Sequence, residues 1–383
     1  MQPARRLQGL VQSDIRRMSR ECERVGGINL GQGICDLPTP PLVERGAIDA
    51  IHARKSTYSF MEGTAEMRLA VARKMGRDNG LSVDAATEVA ITVGATGAYA
   101  ATCMALLDPG DGILLLEPYY GYHLNTALLA GLEPHFLALE APAFRIEESA
   151  LRASLRPNTR AIVLCTPSNP TGHMMDASEI EIVERVARER DLLVITDEIY
   201  EYIRYDGRQH ISPATVGKLR ERTVTIGGVS KTFSITGWRI GWAVAPEPLA
   251  RAIALAHDLF YVCAPTPFQH AAAIGFDAPP SFFRDLADGY ARKREVCCVA
   301  LEAAGMPPIV PEGAYYVLAD ISKLGFATAR EAAMALLEEA KVATVPGTSF
   351  LRGSAGERFV RVCYAKEDDV LDEACRRIRA FRA

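Results

Sequence analysis

Two short runs, Ala161-Ile162-Val163-Leu164-Cys165 and Leu192-Leu193-Val194-Ile195-Thr196, are apolar at almost every position. A strand with one wet face alternates apolar and polar residues. A strand apolar throughout is dry on both faces, which is the condition of a parallel sheet covered by helices on each side. Other strand patterns lie at 90–93, 113–116, 223–226 and 242–245, separated by helical patterns such as 98–107 and by turns such as Gly94-Ala95-Thr96-Gly97 and Asp108-Pro109-Gly110-Asp111-Gly112. That alternation predicts an α/β fold. With 383 residues, 49% of them hydrophobic, the chain can bury a large core and fill two domains.

Outside this stretch the patterns change. Asp14 with Ser13 before it reads as a helix start, Ile15, Met18, Cys22 and Val25 follow at helical spacing, and Gly26-Gly27 ends the helix. Ile28-Asn29-Leu30 reads as a short strand leading into Gly31-Gln32-Gly33, and Pro38, Pro40 and Pro41 mark a crossing between domains. A long helix is expected over 286–304. Strands mixed with helices near 329–340 and 367–381 then predict a small α+β unit.

Several function classes are disfavoured. The net charge is −4 and no basic cluster of useful length occurs, so nucleic acid is not an expected partner. The longest apolar runs, 100–107 and 112–116, are too short to cross a bilayer. The opening Met-Gln-Pro-Ala-Arg-Arg lacks the hydrophobic stretch of a secretory signal. Nine scattered cysteines, without a Cys-x-x-Cys pair, predict free thiols in a reducing, cytoplasmic setting. Seven histidines show no His-Glu-x-x-His spacing, so no metal is expected.

The chemistry centres on Ser230-Lys231-Thr232-Phe233-Ser234-Ile235-Thr236-Gly237-Trp238-Arg239. A lysine that condenses with an aldehyde needs close backbone approach and a lowered pKa, and a nearby arginine suits a phosphate monoester. This segment resembles the lysine signature of the fold-type I pyridoxal 5'-phosphate (PLP) dependent aminotransferases of class I/II. It departs from that signature at Gly228, where the family often has a phosphate-binding serine. The resemblance runs from about Ser13 to the C-terminal helix. It implies a large PLP-binding domain over 42–275 with a mostly parallel, seven-stranded type of sheet. It also implies a smaller α+β domain made of 1–41 with 276–383.

The resemblance also assigns roles. Lys231 holds the cofactor as a Schiff base and shuttles the substrate proton. Asp197, in Thr196-Asp197-Glu198-Ile199-Tyr200, keeps the pyridine nitrogen protonated. Tyr200 and the asparagine of the Asn169-Pro170-Thr171-Gly172 motif donate to the 3'-oxygen. The phosphate cup is Ala95-Thr96-Gly97 at a helix start, where N–H groups and the helix dipole favour a dianion, completed by Arg239 and Ser230. Tyr120, in Glu117-Pro118-Tyr119-Tyr120, stacks on the pyridine face. Arg361, inside the strand-like Val360-Arg361-Val362, binds the substrate α-carboxylate with its planar fork, beside Asn169 and the backbone of Gly33. Tyr58 matches a tyrosine that reaches the phosphate of a neighbouring subunit, which implies a homodimer.

The expected activity is therefore transfer of an amino group from an L-amino acid to a 2-oxo acid by a ping-pong mechanism. Asn29-Leu30-Gly31-Gln32-Gly33 and Pro311-Glu312-Gly313-Ala314-Tyr315-Tyr316 resemble transaminases acting on glutamine, methionine, kynurenine or aromatic amino acids, so neutral and aromatic donors are expected. A carbon–sulfur lyase or an aminocyclopropane-carboxylate type of synthase on the same scaffold is the alternative. A regulator built on this fold needs a DNA-binding domain that about 25 residues before Gly26 cannot supply. A nicotinamide dehydrogenase needs a Gly-x-Gly-x-x-Gly pattern that Gly31-Gln32-Gly33 fails at Asp36.

Overall fold

The computed structural model describes residues 4–7, 10 and 14–382. The Ser13 half of the expected helix start lies outside the described residues, and the helix itself spans Asp14–Val25.

Seven strands form the main sheet, in the spatial order Val89–Val93, Ile240–Val244, Thr223–Gly228, Leu193–Asp197, Thr159–Cys165, Gly112–Glu117, Glu133–Ala138. Ile240–Val244 runs antiparallel to both neighbours, and the remaining pairs are parallel. The apolar runs explain the architecture. Ala161 and Val163 point into one core with Ile113, Leu115 and Ile195, while Ile162 and Leu164 point into another with Leu114, Leu116 and Val194. Both faces are therefore dry. Each fully buried Ile, Val or Leu here contributes on the order of 1.5–3 kcal/mol.

A four-stranded antiparallel sheet, in the order Val345–Pro346, Phe359–Cys363, Tyr316–Asp320, Pro308–Ile309, forms the second layer system. Helices Asp14–Val25, Pro280–Ala303, Ala329–Ala340 and Asp368–Ala380 accompany it. Met18, Cys22, Cys297, Leu336 and Ile378 share one apolar cluster with Tyr316 and Val360, and that cluster extends to Ile199 and Tyr200 just past the main sheet.

Two elements differ from expectation. The strand Glu133–Ala138 was not anticipated; it is an edge strand whose residues alternate between exposed and buried, with Pro134 inside it. Gly94-Ala95-Thr96-Gly97, expected as a turn before a helix over 98–107, is instead the first turn of the helix Gly94–Leu106. The Gly94 φ of 69° lets the backbone turn directly from the strand into the helix.

All nine cysteines are free thiols, six of them buried. Among the described residues no helix is long and apolar enough to cross a membrane.

Candidate active site

The strand ends converge on one cavity of about 540 Å³. Ala95 and Thr96 follow Val89–Val93, Tyr120 follows Gly112–Glu117, Asn169 follows Thr159–Cys165, Asp197 ends Leu193–Asp197, and Ser230 and Lys231 follow Thr223–Gly228. Arg239 precedes the antiparallel strand Ile240–Val244 and so reaches the same edge. Ligands of open α/β sheets bind at this edge. Gly33, Tyr316 and Arg361 close the cavity from the side of the second sheet.

Of the residues expected in the site, Gly97 and Tyr58 do not line the cavity. Gly97 is buried in the helix Gly94–Leu106, and a Cβ there would face Val93 and His257. Tyr58 stands on the surface, 80% exposed.

Lys231 Nζ donates to the Gly33 carbonyl at 3.0 Å, and the Tyr315 hydroxyl donates to the same oxygen at 3.2 Å. Burial draws the Lys231 ammonium below its ordinary range, which frees the amine to act as nucleophile and base. The Asp197 carboxylate accepts the Ile199 N–H at 3.2 Å and lies 3.1 Å from His123 Nε2. Tyr200 and Tyr316 share a hydroxyl–hydroxyl bond of 2.9 Å, and burial raises both phenols well above their usual range, so both stay protonated donors.

Two arginines stand at opposite sides of the cavity, and neither has a carboxylate partner among the described residues. Arg239 donates to Thr96 Oγ1 and to the Thr236 carbonyl, each at 2.9 Å. Its φ of 58° bends the backbone so that the guanidinium lies against Gly94, which itself has φ 69° and leaves no room for a Cβ. No side chain caps the first turn of the helix Gly94–Leu106. An uncapped helix start beside an arginine and two hydroxyls, Thr96 and Ser230, is the donor set a phosphate dianion requires. These residues therefore fit PLP.

Gly228 is not needed in that cup. A Cβ at 228 would come 2.7 Å from Ile199 Cδ1 and 3.2 Å from the Ile240 carbonyl oxygen, so a serine there would require the Ile199 side chain to shift. Ser230, two residues on, lines the cavity instead.

Arg361 is 1% exposed and lies between the rings of Tyr316 and Phe350, 4.3 and 4.6 Å from their centroids. It donates to Asn169 Oδ1 at 2.9 Å and to the Gly31 carbonyl at 2.5 Å. Its Nε has no partner among the described residues. Burying a charge costs several kcal/mol unless an anion compensates it. An unpaired guanidinium in a cavity wall is therefore poised for an anionic ligand.

His123, Tyr315 and Tyr316 were not anticipated from the sequence. His123 lies three residues past Tyr120, in the first turn of the helix Gly121–Leu129, and that spacing was the available signal. Behind the Asn169 loop, His173 sits between Glu179 Oε2 at 3.0 Å and Glu312 Oε2 at 3.1 Å, joining the loop to the segment that carries Tyr315 and Tyr316.

Comparison with known proteins identifies the family. The family model described as aminotransferase class I and II matches residues 25–378. The chain is 34% identical to a probable N-succinyldiaminopimelate aminotransferase of Mycobacterium tuberculosis, over 94% of each chain. It is 33% identical to an aromatic-amino-acid aminotransferase of Thermococcus litoralis, covering 97% of this chain and 96% of that one. It is 30% identical to the human kynurenine–oxoglutarate transaminase 3, covering 99% and 90%. The solved structure of the N-succinyldiaminopimelate aminotransferase of Mycobacterium tuberculosis superposes with a TM-score of 0.96, over 99% of this chain and 100% of the other. The chain belongs to the class I and II aminotransferases of fold type I, and is a PLP-dependent enzyme that moves amino groups between amino acids and oxo acids.

Proposed function

We propose that Lys231 is the amine that attaches the cofactor and that the enzyme exchanges amino groups by a ping-pong route in this one cavity. The observation that carries the site reading is Arg361, a buried guanidinium without a counter-ion among the described residues, in the wall of the cavity that holds Lys231. Arg361 and Asn169 hold the α-carboxylate of the amino acid, which orients Cα. PLP supplies, when bound, an electron sink for the bond broken at Cα. The Lys231 amine takes the Cα proton and returns it at the other end of the transfer, helped by the pKa that burial has lowered. Asp197, held by His123, keeps a negative charge where the pyridine nitrogen needs a proton partner. Tyr200 and Asn169 serve the 3'-oxygen, Tyr120 the ring face, and Ala95, Thr96, Ser230 and Arg239 the phosphate.

The aromatic wall of Tyr120, Tyr122 and Tyr316 supports neutral and aromatic donors, and two of the relatives are named for aromatic amino acids and kynurenine. A homodimer is proposed from Tyr58 and Phe60, both 80% exposed, and from the exposed apolar Leu259 and Phe260, surfaces that a second copy would cover. The free thiols support a cytoplasmic setting. Packing of Val43 and Ala47 with Ala271 and Ala272 supports a large domain of 42–275, with 1–41 and 276–383 as the smaller one.

A panel of amino donors against 2-oxoglutarate and pyruvate tests the activity. Neutral and aromatic donors should outrun aspartate; strong aspartate preference overturns that lean. Pyruvate and ammonia appearing without any acceptor would favour the lyase alternative.

A further inference from the structure

The turn that carries Ala95 and Thr96 leaves the main sheet at its edge. Val89–Val93 is the outermost strand and pairs only with Ile240–Val244, so the N–H groups on its other side need partners from elsewhere. Two of them find such partners. Ile91 donates to the Glu62 carbonyl at 3.0 Å. Val93 donates to His257 Nε2 at 2.9 Å. Val93 is the last residue before the helix Gly94–Leu106, so this ring holds the point from which the phosphate cup springs.

The ring is itself firmly placed. His257 is fully buried on the helix Glu247–Tyr261, whose Ala250, Ile253 and Ala254 share a core with Ala98 and Ala101 of the cup helix. The same ring lies beside the first turn, where a Cβ on Gly97 would come 3.9 Å from Nε2. Because Nε2 accepts a hydrogen bond, the neutral ring carries its proton on Nδ1, which has no partner among the described residues. Burial pushes the pKa down to about 4, which keeps the accepting lone pair free at neutral pH.

The helix start needs such a hold. Its N-cap position is Val93, and no side chain caps it, so the first-turn N–H groups are left for the phosphate. Nothing within the helix then fixes their direction. Arg239 packs against Gly94 from one side, and His257 fixes Val93 from the other. His257 does not line the cavity.

We propose that His257 is a positioning residue for the cofactor phosphate, acting through Val93 on the first-turn N–H groups of the helix Gly94–Leu106. The inference rests on the phosphate cup of the proposed function and adds to it a residue that touches neither cofactor nor substrate.

The test compares binding of PLP and of pyridoxal, the same aldehyde without the phosphate, to the full chain freed of cofactor, followed by absorbance. Both ligands offer the same ring and aldehyde, so the ratio of their affinities reads the phosphate alone. His257→Leu fills similar space and offers no acceptor. It should weaken PLP about 5- to 10-fold, the effect of leaving one backbone donor without its partner, and leave pyridoxal within about 2-fold. His257→Gln should recover most of the loss, because its amide oxygen accepts an N–H. Equal weakening of PLP and pyridoxal by His257→Leu, or unchanged PLP binding, overturns the assignment. Should His257→Leu fail to fold, His257→Met, with only a weakly accepting sulfur, takes its place under the same criteria. Thr96→Val separates this from failure of the cup itself. It should weaken PLP and spare pyridoxal; if it leaves PLP unchanged, the cup is misplaced and the inference falls with it. If Thr96→Val weakens PLP and His257→Leu does not, the cup stands and the role of His257 is lost.

Discussion

Arg361 offers a prediction in which function and stability move apart. Arg361→Met keeps much of the side-chain length and removes the charge. In the free protein the guanidinium makes two hydrogen bonds, to Asn169 Oδ1 and the Gly31 carbonyl, and leaves Nε unpaired. Losing them strands two acceptors, at about 1–3 kcal/mol each. Against this, the variant no longer buries a cation without a counter-ion, a cost that itself amounts to several kcal/mol. The two effects are of similar size and opposite sign, so the melting temperature should shift by only a few degrees. Turnover should not be spared. A carboxylate held by two charge-assisted bonds, each about 1.5–3 kcal/mol, loses about 3–6 kcal/mol, or roughly 10²- to 10⁴-fold in kcat/KM. The assay compares an amino acid with the amine that lacks its carboxylate, for instance phenylalanine and phenethylamine. The wild type should prefer the amino acid strongly, and Arg361→Met should close most of that gap by losing the amino acid, not by gaining the amine. Retention of kcat/KM within about tenfold of wild type would refute the role, because the energy assigned to the two bonds would be absent.

Three further outcomes follow from the same structure. Burial alone lowers the His173 pKa, but Glu179 and Glu312 outweigh it and push it up to about 9; its stabilisation is therefore complete below about pH 6.5 and is lost as pH rises through about 9, and denaturant titrations of His173→Gln should lose that alkaline dependence. His257 accepts the Val93 N–H at 2.9 Å, and burial pushes its pKa down to about 4; the stability of this neutral ring is present above about pH 6.5 and is lost as pH falls towards 4, so His257→Gln should flatten the acid limb in the same titrations. Thr96→Val removes one hydroxyl from the phosphate cup and should weaken PLP about tenfold by equilibrium dialysis, while unchanged affinity would remove Thr96 from the cup.

Much of the fold was legible because hydrophobicity decides it. The runs at 161–165 and 192–196 admit few environments other than a doubly covered strand, and the neighbouring cores of Val163 and Ile162 are the result. Glu133–Ala138 was not legible, since a half-exposed edge strand containing a proline carries a weak signal. The site was legible where the chemistry demands a residue type at a fixed distance from a strand end, as at Asn169, Asp197, Lys231 and Arg239. It was not legible where a residue acts through another. His123 matters because it meets Asp197 across 74 positions, and Tyr316 because it meets Tyr200 across 116. His257 shows the same limit, because one histidine in the helix Glu247–Tyr261 carries no mark of the strand edge it meets 164 positions away.

The central assignment is that one amine, at position 231, holds the cofactor. Reducing the PLP-loaded protein with borohydride, digesting it and mapping the cofactor mass by peptide spectrometry addresses that assignment without any assumption about substrate. The mass should fall on the peptide carrying Lys231, and Lys231→Ala should show no such peptide. Cofactor fixed instead to another lysine, with Lys231 unmodified, would contradict the account.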